Sequence, residues 1–196
     1  LKVCPCPVLL VKSIPPKPYR HRRICAGVYQ DEHPGGLRDD RYAINRSILE
    51  HATWLATAQF AELHIVHAWE AYGEQYLRNE RSSLHFEAND YVASEQQINR
   101  QALNTCLTEL RESVASDTLP AFNPVCHLVK GGHRDEIVRH AANMGADLVV
   151  VGGLAKSGLT GLIIESTAEA ISRRVNCSVL IVKPPEFVTP VVVGEN

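Results

Sequence analysis

The residues whose types and spacing could do chemistry lie between Ala146 and Lys183, in the stretch ADLVVVGGLAKSGLTGLIIESTAEAISRRVNCSVLIVK. Gly152, Gly153, Lys156, Ser157, Ser166 and Thr167 stand where a valine run ends and a helix is due to begin. Successive backbone N–H groups and a helix N-terminus together form a cradle for an anion such as a phosphate, with Lys156 as its charge partner. The spacing is neither GxGxxG nor GxxxxGK followed by Ser or Thr. On its own it speaks first for a tight strand-to-helix connection that uses glycine for close packing.

The elements that must position these residues follow from the same stretch. Asp147 to Val151 is a short, unbroken apolar run, which suits a strand buried on both faces of a parallel sheet. Ser166-Thr167-Ala168-Glu169 is a Ser-x-x-Glu capping box, which makes Ser166 the N-cap of a helix. Ala168, Ile171 and Val175 then share one helical face, Asn176 suits the stop, and Ser178 to Val182 is a further buried strand.

Upstream, Arg23 to Tyr29 forms the first strand of the domain, followed by a loop over residues 31–40 containing Pro34, Gly35 and Gly36. Asp39 or Asp40 can cap a helix whose apolar face is Ile44, Ile48, Ala52 and Leu55. Leu63 to Trp69 is the second strand. There His64 and His67, three apart, point to opposite faces and cannot share a metal. Glu70 to Val92 is too apolar for a solvated linker and too irregular for a helix, so it is expected to act as a lid or a partner-binding flap. A helix is predicted from about Ser94 to Val114, with Leu103, Leu107, Leu110 and Val114 at core spacing. Val125 to Lys130 is the third strand. It runs into Lys130-Gly131-Gly132-His133-Arg134, where Gly131, Gly132 and Arg134 could meet an anionic ligand or simply make a glycine-softened turn. The next helix buries Ile137, Ala141 and Met144 and ends at Gly145.

Bulk properties narrow the function classes. With 196 residues, 45% hydrophobic content and a formal charge of -2, the chain fits one domain plus an appendage and exerts no long-range pull on nucleic acid. It has no apolar run of about 18 residues and no signal-peptide succession, so a cytoplasmic protein with no membrane span is expected. The six cysteines are expected to be buried free thiols rather than disulfides, Cys4-Pro5-Cys6 lacks redox-motif spacing, and the nine histidines form no HExxH or H-x-x-x-H pair. No nucleophile, base and orienting group converge by sequence, so no catalytic residue and no metal site are assigned.

One internal repeat stands out. Cys6-Pro7-Val8-Leu9-Leu10-Val11-Lys12 recurs as Cys177-Ser178-Val179-Leu180-Ile181-Val182-Lys183, about a domain's length further on. Residues 1–18 therefore read as the closing strand of an upstream copy plus the proline-rich linker Ser13 to Pro18, and residues 19–196 as the domain proper with a C-terminal tail. An orphan strand must pair or fray, so Val8 to Val11 is expected beside Val179 to Val182, in the same chain or a neighbour.

The run V-V-G-x-x-x-K-S-G-L-T-G, followed by S-T-A-E and then C-S-V-L-I-V-K-P, resembles the C-terminal signature of the universal stress protein family, and the repeat resembles the second half of a tandem member of the E type. The resemblance implies an α/β fold, a five-stranded parallel doubly wound sheet in the order 3-2-1-4-5 with helices on both faces. It also implies a crevice beyond the strand ends, where many members bind ATP. In those members the loop has glycine, two residues, glycine, nine residues, then glycine and a hydroxyl residue. Gly152 and Ser166 match, whereas Ala155 and Glu165 replace the other two glycines. Tyr29 stands where an aspartate commonly contacts the adenosine. A methyl holds a ligand back from the amides, and a carboxylate beside the helix start repels phosphate, so ATP is expected to bind weakly or not at all. The resulting expectation is a non-catalytic stress-response module that binds a small ligand or a partner, as a homodimer or paired with an upstream repeat through sheet edges. The alternatives are an ATP-binding member with slow hydrolysis and a pocket for an apolar, lipid-like ligand under residues 70–92. The cofactor-site candidates are Tyr29, Gly131, Gly132, Arg134, Gly152, Gly153, Lys156, Ser157, Ser166 and Thr167.

Overall fold

The computed structural model describes residues 4–12, 21–29, 38–79, 85–113, 123–153, 166–185 and 187. Among them the apolar runs form six strands: β1 (Val8–Leu10), β2 (Arg23–Val28), β3 (Glu62–Trp69), β4 (Val125–Lys130), β5 (Leu148–Gly152) and β6 (Ser178–Val182). They make one sheet in the order β1-β6-β5-β2-β3-β4. The pairs from β2 through β6 are parallel, while β1 joins β6 antiparallel. The sheet thus has six strands and is mostly parallel, rather than five and all parallel, because the N-terminal segment pairs with the β6 edge of its own chain, Val8 to Leu10 lying beside Val179 to Ile181 as expected.

Helices α1 (Arg38–Gln59) and α3 (His85–Ser113) cover one face of the sheet. On the other lie α4 (His133–Asn143) and α5 (Thr167–Arg174), while the short α2 (Glu74–Asn79) packs against α3. Alternate strand residues feed two cores. Ile24, Ala26, Leu148 and Val150 meet Ile44, Ile48 and Leu107, whereas Cys25, Val149 and Val151 meet Ile137 and Ile171. Both faces being apolar is what a parallel sheet sandwiched between helices requires.

Three expectations need correction. The helix predicted from Ser94 begins at His85, so much of the described part of the supposed flap is helical: α2 takes Glu74–Asn79 and the first turns of α3 take residues 85–92. Asp39 and Asp40 lie in the first turn of α1 rather than at its cap, because α1 starts at Arg38. The thiols are free, but only Cys25 is buried; Cys6 and Cys126 are exposed and Cys4, Cys106 and Cys177 half-buried. No helix among the described residues is long and apolar enough to cross a membrane. The linker Ser13 to Pro18, Val114 and residues 188–196 of the tail lie outside the described residues.

The two β3 histidines do face apart. His67 is buried and its Nε2 lies 2.8 Å from Asn99 Oδ1 on α3. His64 lies on the α4 side, its Nδ1 3.1 Å from His127 Nε2 on β4, and the His127 ring tilts against His140 of α4 at 5.5 Å between centroids. Burial, then the neighbouring His64 and His140, lower the His127 pKa below the ordinary 6.5. A histidine whose folded pKa is depressed is neutral in both states above the unfolded value. Below about 6.5 the unfolded chain takes up the proton first, so the folded state loses stability as pH falls toward the depressed folded pKa. Urea unfolding is therefore expected to show lower stability at pH 5.5 than at pH 7.5, and His127→Gln should reduce that difference; an unchanged difference in the variant would show that His127 is not its source.

Candidate functional site

Strand β2 pairs with β3 on one side and β5 on the other, so the chain reverses its direction of travel across the sheet between β2 and β5. Ligands of doubly wound sheets sit beyond the strand ends at such a switch. The carboxyl ends of β2 and β5 bring Tyr29 and Gly152 together there, and the Tyr29 hydroxyl donates to the Gly152 carbonyl at 2.7 Å. The ring of His133, at the start of α4, stacks on the Tyr29 ring at 5.7 Å with the planes 20° apart. From α1, Asn45 clamps the same residue, accepting from the Tyr29 N–H at 2.8 Å and donating to its carbonyl at 3.0 Å. Burial raises the Tyr29 phenol pKa above its usual value, outweighing the hydrogen bond to Gly152 and the nearby Arg134, so the hydroxyl stays protonated and remains a donor.

The glycines have packing roles. A Cβ at Gly152 would stand 2.3 Å from Ile44 Cγ1 and 3.1 Å from Tyr29 Cε2, and one at Gly153 would stand 2.7 Å from Ile181 Cγ2. Gly131 has a φ of +145°, and a Cβ there would meet the Glu136 carboxylate at 2.8 Å. Gly132 is the N-cap of α4 and supplies no side-chain cap. Close approach and left-handed backbone explain three of these positions without any ligand.

At α5 the capping box is formed. Glu169 N–H donates to Ser166 Oγ at 3.2 Å, and Ser166 N–H donates to Glu169 Oε2 at 3.1 Å. The Ser166 oxygen and one of the N-terminal donors are thereby engaged, and Thr167 follows as the first helical residue. Lys156 and Ser157 lie outside the described residues, as do Ala155 and Glu165.

The structure adds Ile44, Asn45, His133 and Lys183 to the site. Lys183 is buried, donates from Nζ to the Gly153 carbonyl at 3.0 Å, and lies 4.7 Å from the Phe187 ring centroid. Burial lowers its pKa, against the opposing pull of Cys4 and Glu169. The sequence signal for Lys183 was its recurrence in the repeat, and for Asn45 a polar residue set between Ile44 and Ile48 on an apolar face. In the aromatic segment Tyr72 and Tyr76 are exposed, and the Tyr91 hydroxyl accepts from the Gly73 N–H at 3.3 Å. A cavity of about 350 Å³ lies elsewhere, between α1 and α3, floored by Leu49, Cys106 and Leu110.

Residues 44–183 match the model of the universal stress protein family. The chain is 26% identical over 192 residues to universal stress protein E of Salmonella typhi, covering 97% of this chain and 55% of that protein. Its fold is similar to that of PA1789 from Pseudomonas aeruginosa PAO1, with a TM-score of 0.64 and 24% identity over 93% of this chain and 54% of the other. It is also similar to that of the protein MJ0577, with a TM-score of 0.59 and 18% identity over 86% of this chain and 100% of the other. The chain thus spans about half the length of the Salmonella protein and of PA1789.

Asn45 carries two hydrogen bonds that hold Tyr29 in place, and replacing it removes both partners of a backbone N–H and C=O. Asn45→Ala is expected to cost about 1–3 kcal/mol, whereas Tyr29→Phe, which removes one hydroxyl bond, costs about 0.5–1.5 kcal/mol. Urea denaturation of both variants checks the ranking, and a larger loss for Tyr29→Phe would contradict it.

Proposed function

The chain belongs to the universal stress protein family, and on that premise we propose a non-catalytic stress-response module of the cytoplasm whose nucleotide-type crevice is degenerate and binds a small ligand or a partner. The observation that carries the proposal is the Tyr29 hydroxyl bonded to the Gly152 carbonyl across the switch point. That bond lays a side chain of the protein across the crevice in which a planar ring would enter, and one face of the tyrosine is already stacked on His133. A ligand there would have to break an internal hydrogen bond and displace a ring, and affinity is reduced by both losses.

The site offers binding groups rather than a catalytic set. Tyr29 is held protonated and Ser166 is committed to its capping box, so neither is an activated nucleophile. An ATP-binding role with slow hydrolysis is the second reading. It draws support from α4, which begins at Gly132 without a side-chain cap and has Arg134 in its first turn. In this reading Gly131, Gly132 and Arg134 would take the phosphates with Lys156 and Ser157. The exposure of Tyr72 and Tyr76 leaves an apolar or lipid-like ligand without support.

Fluorescence titration with mant-ATP tests the proposal. The wild-type chain is expected to show no saturable binding below about 1 mM, weaker than about -4 kcal/mol. Tyr29→Ala should open the crevice, and Ala155→Gly with Glu165→Gly should restore contact with the amides, so the combined variant is expected to bind measurably. Micromolar binding by the wild-type chain, lost in Lys156→Glu, would reject it in favour of the second reading.

A further inference from the structure

The cavity between α1 and α3 is lined by two kinds of surface. Leu49 on α1 and Leu110 on α3 are buried members of the core, and the half-buried Cys106 packs against that core, so the floor is apolar. Around it stand Glu50, Glu109 and Glu112, with Arg46 as the one basic residue among the described lining residues. Three carboxylates against one guanidinium leave an excess of two negative charges. That local excess equals the formal charge of -2 on the whole chain, so the cavity mouth is a concentrated acidic spot on a nearly neutral protein.

The arrangement of these charges matters as much as their number. Arg46 donates to Glu50 at 2.8 Å, one turn along α1, so those two offset each other. The excess falls on α3, where Glu109 and Glu112, three apart, share a helix face. Glu109 is half-buried, and Glu112 is exposed and has no ion pair among the described residues. At the other end of the lining, Thr53 follows Leu49 by one turn on the same stripe of α1. It is 5% exposed, and its Oγ1 is buried with no hydrogen-bond partner among the described residues. Helical side chains lean toward the N-terminus, which tilts this hydroxyl over the turn that carries Leu49. A buried hydroxyl without a partner is costly, and a ligand atom that met it would recover the loss.

We propose that the cavity between α1 and α3 binds a small organic cation, a primary ammonium carried on an arylalkyl body. The ammonium meets Glu109 and Glu112 at the rim, the apolar body lies on Leu49, Cys106 and Leu110, and a hydrogen-bonding atom at the buried end reaches Thr53. The volume of about 350 Å³ lies at the small end of the range for ligand sites, which suits a compact ligand. An organic anion of the same shape is repelled by the rim, and a purely apolar one would cover carboxylates without offering them a partner. The site is separate from the crevice at Tyr29, so its failure leaves the reading of the crevice untouched.

Calorimetric titration of the full chain at low salt tests this with two probes, tyramine and 3-(4-hydroxyphenyl)propanoate, which share a phenol body and carry opposite charges. Tyramine is expected to bind with a Kd of about 1 mM or tighter, and the carboxylate probe to show no binding up to about 10 mM. Added salt should weaken tyramine, because the rim carboxylates are open to screening. Cys106→Phe, which fills the cavity, should lower the affinity about tenfold, and Glu112→Lys, which reverses a rim charge, at least about threefold. Glu112 is exposed, so its variant is expected to keep the circular dichroism spectrum and decides the matter even where Cys106→Phe does not fold. Absence of tyramine binding at about 10 mM overturns the proposal, as does equal binding of the two probes. So does an affinity unchanged by Glu112→Lys, or one lost in Tyr29→Ala and kept in Cys106→Phe, because the amine then sits outside this cavity.

Discussion

The absence of a side chain at Gly152 is the constraint on which the geometry of the crevice depends. Where a Cβ would stand, Ile44 Cγ1 approaches to 2.3 Å and Tyr29 Cε2 to 3.1 Å. Ile44 is fully buried there and anchors α1 against the end of β5. A methyl would force α1 or β5 to shift, since a packed interior has no free volume to absorb it. The glycine that resemblance assigns to phosphate contact is thus already fixed by helix packing, and Tyr29 comes to lie against its carbonyl as a consequence.

From that contact α1 works as a clamp over three strand ends. Ile44 sits on β5, Asn45 brackets the backbone of Tyr29 beyond β2, and the Ser47 hydroxyl donates to the Lys183 carbonyl beyond β6 at 3.1 Å. Asn45 and Ser47 are both buried polar residues, and each has its partners on the backbone of another element. Buried polar groups satisfied in this way fix register and position more than they add net stability. The floor of the crevice is accordingly specified by hydrogen bonds and its depth by apolar packing.

Much of this architecture could be seen in the sequence, and the reasons are local. Strands β2, β3, β5 and β6 are short apolar runs bounded by polar or glycine residues, and the Ser166 capping box is a fixed four-residue pattern with one geometry. The first turns of α3 escaped notice because the buried residue there is the small Ala88, at 0% exposure, and the next buried residue along the helix, Asn99 at 3%, is polar. Continued as Leu103, Leu107 and Leu110, the stripe is regular, but a small residue and a polar one do not register as hydrophobic periodicity. Asn99 is tolerated there because His67 faces it. That pairing joins residues on separate elements, and no local pattern foretells it. For the same reason the partners of Tyr29 were hidden: Gly152, His133 and Asn45 converge on it from β5, α4 and α1.

Among the described residues, charged groups around the crevice are engaged by the chain itself. The positive end of α5 is met by the Glu169 carboxylate through its bond to the Ser166 N–H. The Lys183 ammonium is directed to the Gly153 carbonyl and packed near an aromatic face, and burial already works against its charge. An arriving anion therefore exchanges existing bonds for new ones at these two groups and gains only the difference. In a crevice whose donors waited unpaired, the same anion would gain the full strength of each charge-assisted bond. Here the dipole end, the buried cation and the tyrosine hydroxyl each have a partner from the chain itself, and a ligand that engaged any of them would have to replace an internal bond.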